Sequence, residues 1–238
     1  RVSESISFTG FRGDFSLAGG VNGSFTSAIN GIGAVKGTVV PARSGGAIRL
    51  QSNDAGETLT AAKIFASARG GSLDVQLTPR ATPGHYDGTA RIRNVRVRNA
   101  SVLTELLNAI SVVGLLEQMT DTGLVFNEAD GEFLLTPEAV EVRRGSAIGA
   151  SLGVSMAGVY QSGSGRLSMQ GVVSPVYLLN GIGALFTRRG EGVFGFNYTL
   201  RGTADDPQID VNPLSILTPG MFREIFRSGP PVLKGSGP

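Results

Sequence analysis

The sequence predicts a mainly β protein built on a long antiparallel sheet with a few short amphipathic helices. Thirty-five glycines stand against eleven prolines in 238 residues, about twice the ordinary glycine share of ~7%, which points to tight turns and small strand positions. Turn signals recur at roughly 8–12-residue spacing, the pattern of a meandering sheet. Within residues 131–212, apolar residues alternate with small or polar ones over several successive runs. A hydrophobic content of 41% is enough to bury a core.

Taken in order, Ile6 and Phe8, then Phe15, Leu17 and Val21, then Val35 and Val39, then Ile48 and Leu50 mark short strands separated by glycine-rich turns. Asp54-Ala55-Gly56-Glu57 has the form of a capping box. Leu59, Ala62, Phe65 and Ala66 follow at helical spacing until Arg69-Gly70-Gly71 ends the run. Leu73, Val75 and Leu77 then alternate with polar residues, and a turn leads back along Ala90, Ile92, Val95 and Val97, with a parity slip near Asn94 that predicts a bulge. Arg91, Arg93, Arg96 and Arg98 lie on the outward side and read as a solvated face, since no aromatic residues interleave them to stack on bases. Ser101 is placed to cap one amphipathic helix carrying Leu103, Leu106, Leu107, Ile110 and Val113 and ending near Gly123. Strands resume through Leu124, Phe126, Leu135 and Val142.

The clearest alternation follows. Across residues 147–160 the even positions Ile148, Ala150, Leu152, Val154, Met156 and Tyr160 read as the apolar side of one long strand. Leu167, Met169 and Val173 share a face of the next strand, and Phe194, Phe196, Tyr198 and Leu200 share a face of a later one. Ser174-Pro175 reads as the start of a helix over 176–187. Thr218-Pro219 opens a terminal helix with Met221, Phe222, Ile225 and Phe226 on one face and Arg223 and Arg227 elsewhere; residues 229–238 read as a disordered tail. Alternation fixes a face and not what covers it, so the apolar side is either a closed core or an open groove.

Composition removes several functions. Net charge is only +2, so no nucleic-acid partner is implied, and the absence of cysteine excludes disulfides, thiolate metal sites and a cysteine nucleophile. His85 is the single histidine and sits in a Pro-Gly-His-Tyr-Asp turn without a partner base. Neither Gly31-Ile32-Gly33 nor Gly181-Ile182-Gly183 completes a phosphate-loop fingerprint, and Asp205-Asp206-Pro207 is accounted for by turn chemistry. The expectation is a non-enzymatic protein with no cofactor and no catalytic or metal site. The most apolar stretch, residues 102–119, carries Glu105 and Glu117 and makes a poor membrane span. The chain opens in strand-like material, which reads as a section of a longer protein.

Val173-Ser174-Pro175-Val176-Tyr177, the Glu191-Gly192-Val193-Phe194 strand entry, and above all Asp206-Pro207-Gln208-Ile209-Asp210-Val211-Asn212-Pro213-Leu214-Ser215 with Pro219-Gly220-Met221-Phe222-Arg223 resemble the C-terminal domain of the AsmA-like family, in the wider group of TamB and YhdP. The likeness is best over 54–227, within one groove domain spanning 1–228. It implies a long curved antiparallel sheet forming a U-shaped hydrophobic groove in a periplasmic protein, anchored to the inner membrane through an N-terminal segment outside this chain. It further implies conduction of phospholipids between inner and outer membranes, with the outer-membrane surface or an outer-membrane protein as a further partner. Under that resemblance Ile148, Leu152, Val154, Met156, Leu167, Met169, Phe194, Phe196 and Tyr198 line the groove, and Val154→Asp is expected to block cargo with little loss of fold. Met221, Phe222, Arg223, Ile225, Phe226 and Arg227 form either a plug or a membrane contact. The alternative is a non-transporting scaffold or assembly factor for outer-membrane biogenesis with a closed β core.

Overall fold

A computed structural model describes residues 6–175, 195–203 and 206–212. Its first half comprises β1 (Phe8–Ser16), β2 (Asn22–Ile29), β3 (Gly33–Ala42), β4 (Gly45–Ser52), α1 (Ala55–Ala61), β5 (Ala68–Arg69), β6 (Ser72–Pro79) and β7 (Tyr86–Val97). Then come α2 (Ser101–Ala109), α3 (Val113–Asp121), β8 (Leu124–Leu135), β9 (Ala139–Gly149), β10 (Leu152–Gln161), β11 (Arg166–Pro175), β12 (Phe196–Thr203) and β13 (Pro207–Asn212). All thirteen strands join one antiparallel sheet in sequence order, except that β5 pairs off the path with β7. The sheet is not closed: among the described residues β1 pairs only with β2 and β13 only with β12.

The expected parity slip in β7 is present. Asn94 has a left-handed φ of 54° and is skipped in the pairing with β8, so Ile92 and Val95 reach the same side three residues apart. Many glycines have a second role besides turning the chain. Gly37 and Gly88 lie directly across from Phe25 and Phe133, and a Cβ there would stand 2.1 Å and 2.3 Å from the opposing rings. The missing side chain lets each ring lie flat on the neighbouring strand.

The helices stand at one end of the strands, since α1 follows β4 and α2 and α3 fill the β7–β8 connection. Asp54 caps α1 by accepting from the Glu57 amide at 2.8 Å. The helix stops at Ala61, sooner than Phe65 and Ala66 suggest, because Lys63 turns left-handed at φ 58°. The single helix expected after Ser101 is two: Ser111, at φ 58°, separates α2 from α3. The position before α2 is Ala100, which offers no side chain to cap it, so Ser101 is not the cap.

α2 packs against β13 although its chain leaves the sheet at β7. Six strand spacings would separate these strands by about 29 Å on a flat sheet, and a nine-residue helix is only about 13 Å long. The sheet therefore curls around the helices, with its apolar side inward.

Two sequence readings change. Ser174 and Pro175 end β11 and do not begin a helix. Residues 147–160 are not one strand, because β9 ends at Gly149 and β10 begins at Leu152. That two-residue hairpin pairs Ile148 with Gly153, on the face opposite Val154, and leaves Ile148 50% exposed on the outside. Phe194, the helices expected over 176–187 and 218–227, and the tail at 229–238 lie outside the described residues.

Candidate functional site: an uncharged sheet face

Residues directly opposite each other on adjacent strands project to the same side of the sheet. One row can be followed across the molecule through Gly13, Phe25, Gly37, Leu50, Val75, Ala90, Gly131, Gly145, Met156, Gly171, Tyr198 and Val211. A parallel row runs Leu73, Ile92, Ala129, Ala147, Val154, Val173, Phe196. Another runs Phe15, Gly23, Val39, Ile48, Leu77, Gly88, Phe133, Val142, Gly158, Met169, Leu200, Ile209. No Asp, Glu, Lys or Arg occurs in these rows.

The polar groups on this face are satisfied locally. Ser27 and Ser52 donate to the carbonyls of Thr9 and Ala34 at 2.8 and 2.9 Å. The Tyr198 hydroxyl donates to the Ser155 carbonyl at 2.9 Å, and its burial pushes its pKa up, so it stays neutral. The opposite side carries the charges. Arg49 is hydrogen-bonded to Asp74, holding that carboxyl below its ordinary range, and Arg91 pairs with Asp130 at 2.8 Å and Glu128 at 3.5 Å. A cross-strand row there reads Lys36, Gln51, Asp74, Arg91, Asp130.

The apolar face is covered over only part of its length. Leu106, Leu107, Leu115 and Met119 of α2 and α3 sink into it and bury Val95, Val97, Leu124, Phe126, Leu152, Val173 and Leu200. Leu107 and Val173 are 0% exposed. Two of the arginines read as solvated hold this helix pair: Arg96 donates to the Thr122 carbonyl at 2.9 Å, and Arg98 to those of Thr120 and Asp121, the last carbonyls of α3.

Toward the N-terminus the face is more open. Val39, Ile48, Leu50, Leu73, Val75 and Leu77 are half-buried, and α1 packs only at the helix end of β3, β5 and β7. Phe11 stacks on Phe25 at 4.8 Å and on Phe15 at 6.0 Å, yet Phe11 is still 52% exposed.

Of the residues nominated from sequence, Leu152, Val154, Met156, Leu167, Met169, Phe196 and Tyr198 do share the inner face. Leu152, Leu167 and Tyr198 belong to the same buried cluster as the helices' leucines, with Val154, Met169 and Phe196 packed against it. Met156 alone among them is exposed, and Ile148 faces out. The open part is formed instead by Leu50, Val75 and Leu77, whose signal was the same alternation, with Phe11 and Phe15 beside them. His85 reaches only the Pro83 carbonyl of its own turn, at 3.1 Å. Among the described residues, no group of three acidic or histidine side chains is placed to hold a metal, and no helix is long and apolar enough to cross a membrane. Compared with family models, curated proteins and solved structures, the chain matches none.

Proposed function

We propose that the protein binds phospholipid by its acyl chains on the open part of the apolar face and passes it along the sheet, as the C-terminal section of a longer periplasmic chain anchored in the inner membrane. The observation that carries this reading is the run of uncharged rows between β1 and β7 that, among the described residues, only α1 touches, and only at one end. Acyl chains gain about 25 cal/mol per Å² of area removed from water and need no hydrogen-bond partner. A charged headgroup gains nothing on this face and stays at its rim in water. The open stretch spans five strand spacings, about 24 Å. That exceeds half of a ~30 Å bilayer core, the reach of one acyl chain. The reading involves no chemistry on the cargo and no cofactor, and it accords with the AsmA-like resemblance. Residues 218–227 would serve it as a plug or an outer-membrane contact.

A non-transporting scaffold for outer-membrane biogenesis is the second reading, and it is favoured by the C-terminal half alone, where α2 and α3 close the face into a core. Photo-crosslinking in cells separates the two. A photoreactive residue at Leu50 or Val75 should capture phospholipid, while one at Gln51 or Gln76, on the other side of the same strands, should not. Lipid-free adducts at Leu50 and Val75 with protein captured from the outer positions would replace transport by the scaffold reading.

A further inference from the structure

The two helices of the β7–β8 connection are held in different ways. α3 is clamped by polar contacts, since Arg96 and Arg98 of the preceding strand segment donate to the carbonyls of Thr120, Asp121 and Thr122 at its C-terminal end. Among the described residues, no hydrogen bond or ion pair joins α2 to the sheet. Its one side-chain hydrogen bond runs from Thr104 Oγ1 to the Ala100 carbonyl at 3.0 Å and stays within its own first turn. Leu106 and Leu107 therefore hold α2 down by apolar contact alone. The helix is also bounded by two left-handed residues that are not glycine, Asn99 at φ 50° and Ser111 at φ 58°. Backbone of this kind is sparsely populated and persists only where its surroundings impose it.

From this we infer that α2 is a displaceable cover, and that a second acyl-chain site lies beneath it, between Leu106 and Leu107 on one side and Val173 and Leu200 on the other. The ligand follows from the rows themselves. The uncharged row through Leu50 and Val75 in the open part continues through Ala90, Gly131, Gly145 and Met156 to Tyr198 and Val211, and Met156 on the way is 38% exposed. An acyl chain that follows this row meets α2 as its competitor. It offers the sheet the contact that α2 gives and offers the α2 leucines the contact that the sheet gives, so both apolar surfaces stay out of water and no polar partner is lost. A polar ligand would gain nothing there. α2 turns about Asn99 and Ser111 and rides on the acyl chain, while α3 stays fixed by its two arginines. The ligand rests on the phospholipid reading above, which this inference extends to the half of the sheet that is closed in the structure.

The test uses the unaltered 238-residue chain and phosphatidylethanolamine vesicles containing a phospholipid whose acyl chain carries a diazirine. Irradiation followed by peptide mapping should place adducts on Leu50 and Val75 of the open part, and also on Leu106, Leu107 and Val173. Adducts confined to Leu50 and Val75, or found on α2 only at the outward Glu105 and Asn108, would overturn the cover and leave phospholipid binding intact. No adduct anywhere would overturn both. Leu107→Ala loosens the cover, so it should raise labelling at Val173 several-fold relative to labelling at Val75, whereas an unchanged or lower ratio would count against displacement. Hydrogen exchange without lipid provides a reading that needs no variant and no ligand. The amides of α2 should exchange at least about tenfold faster than those of α3, through local opening that leaves the strands paired. Equal rates in the two helices would mean that α2 does not open by itself, and would overturn the inference.

Discussion

The N-terminal and C-terminal halves of this sheet are built to one rule and finished differently. From β1 to β6 the face carries half-buried side chains at Ile48, Leu50, Val75 and Leu77, and Phe11 and Phe15 are 52% and 41% exposed, whereas from β7 to β13 the end of the face nearest the helices, at Val95, Val97, Leu124, Phe126, Leu152 and Val173, is buried with α2 and α3. Both halves alternate apolar with polar residues, and both set glycines opposite large side chains. The difference lies in one insertion, the helix pair between β7 and β8, around which the second half curls. A uniform apolar sheet thus becomes a core where a helix enters it and an accessible surface where none does.

The largest test of that contrast is to place the same charge in each half. Leu107→Asp buries an unpaired carboxylate in the covered half and should cost about 4 kcal/mol or more, read as a shift in the urea midpoint. Leu50→Asp, at the half-exposed end of the same face, should cost less than about 1.5 kcal/mol while lowering lipid capture at Val75 several-fold. Equal losses of stability would mean the two halves are equally closed. Val154→Asp falls on the Leu107 side of this comparison, since Val154 packs against the buried core, and it should unfold the protein before it blocks any cargo.

Glycine placement allows a finer cut. Gly88→Val should displace Phe133, whose ring would lie 2.3 Å from the new Cβ, and cost about 1–3 kcal/mol by thermal melting. Arg98→Ala should cost less, about 0.5–1 kcal/mol, by freeing the last carbonyls of α3, and should raise hydrogen exchange in α3 ahead of β8. The smallest effect concerns Asp74 on the outer face. Its folded pKa lies below the ordinary 3.8 because it accepts hydrogen bonds from Arg49. Its contribution is therefore fully present above 3.8 and is lost as pH falls through the lowered value. Asp74→Asn should remove that part of the acid dependence and cost only a small loss of stability near pH 7, since the pair is partly exposed and screened by water.

Much of the fold was legible because a strand's side chains repeat every two residues, and local chemistry marks some boundaries. The mainly β class, the Asp54 cap, the slip at Asn94 and the faces of Leu73, Val75, Leu77, Leu167, Met169 and Tyr198 all rest on neighbours within a few residues. Ile148 was misplaced because Gly149-Ala150-Ser151 contains no strong turn signal. A two-residue hairpin reverses parity, so an even-numbered residue before the turn and one after it face opposite ways. The break at Ser111 was equally hidden, since a left-handed serine has no sequence signature.

By itself, then, the sequence determined which side chains share a face and that this face is free of charge, because both follow from alternation along each strand. Only the tertiary structure decided where that face is open. Covering it depends on contacts between α2 and strands up to β13, a hundred residues away in the chain. Such contacts arise from how the sheet curls, and periodicity within a strand carries no record of that curl.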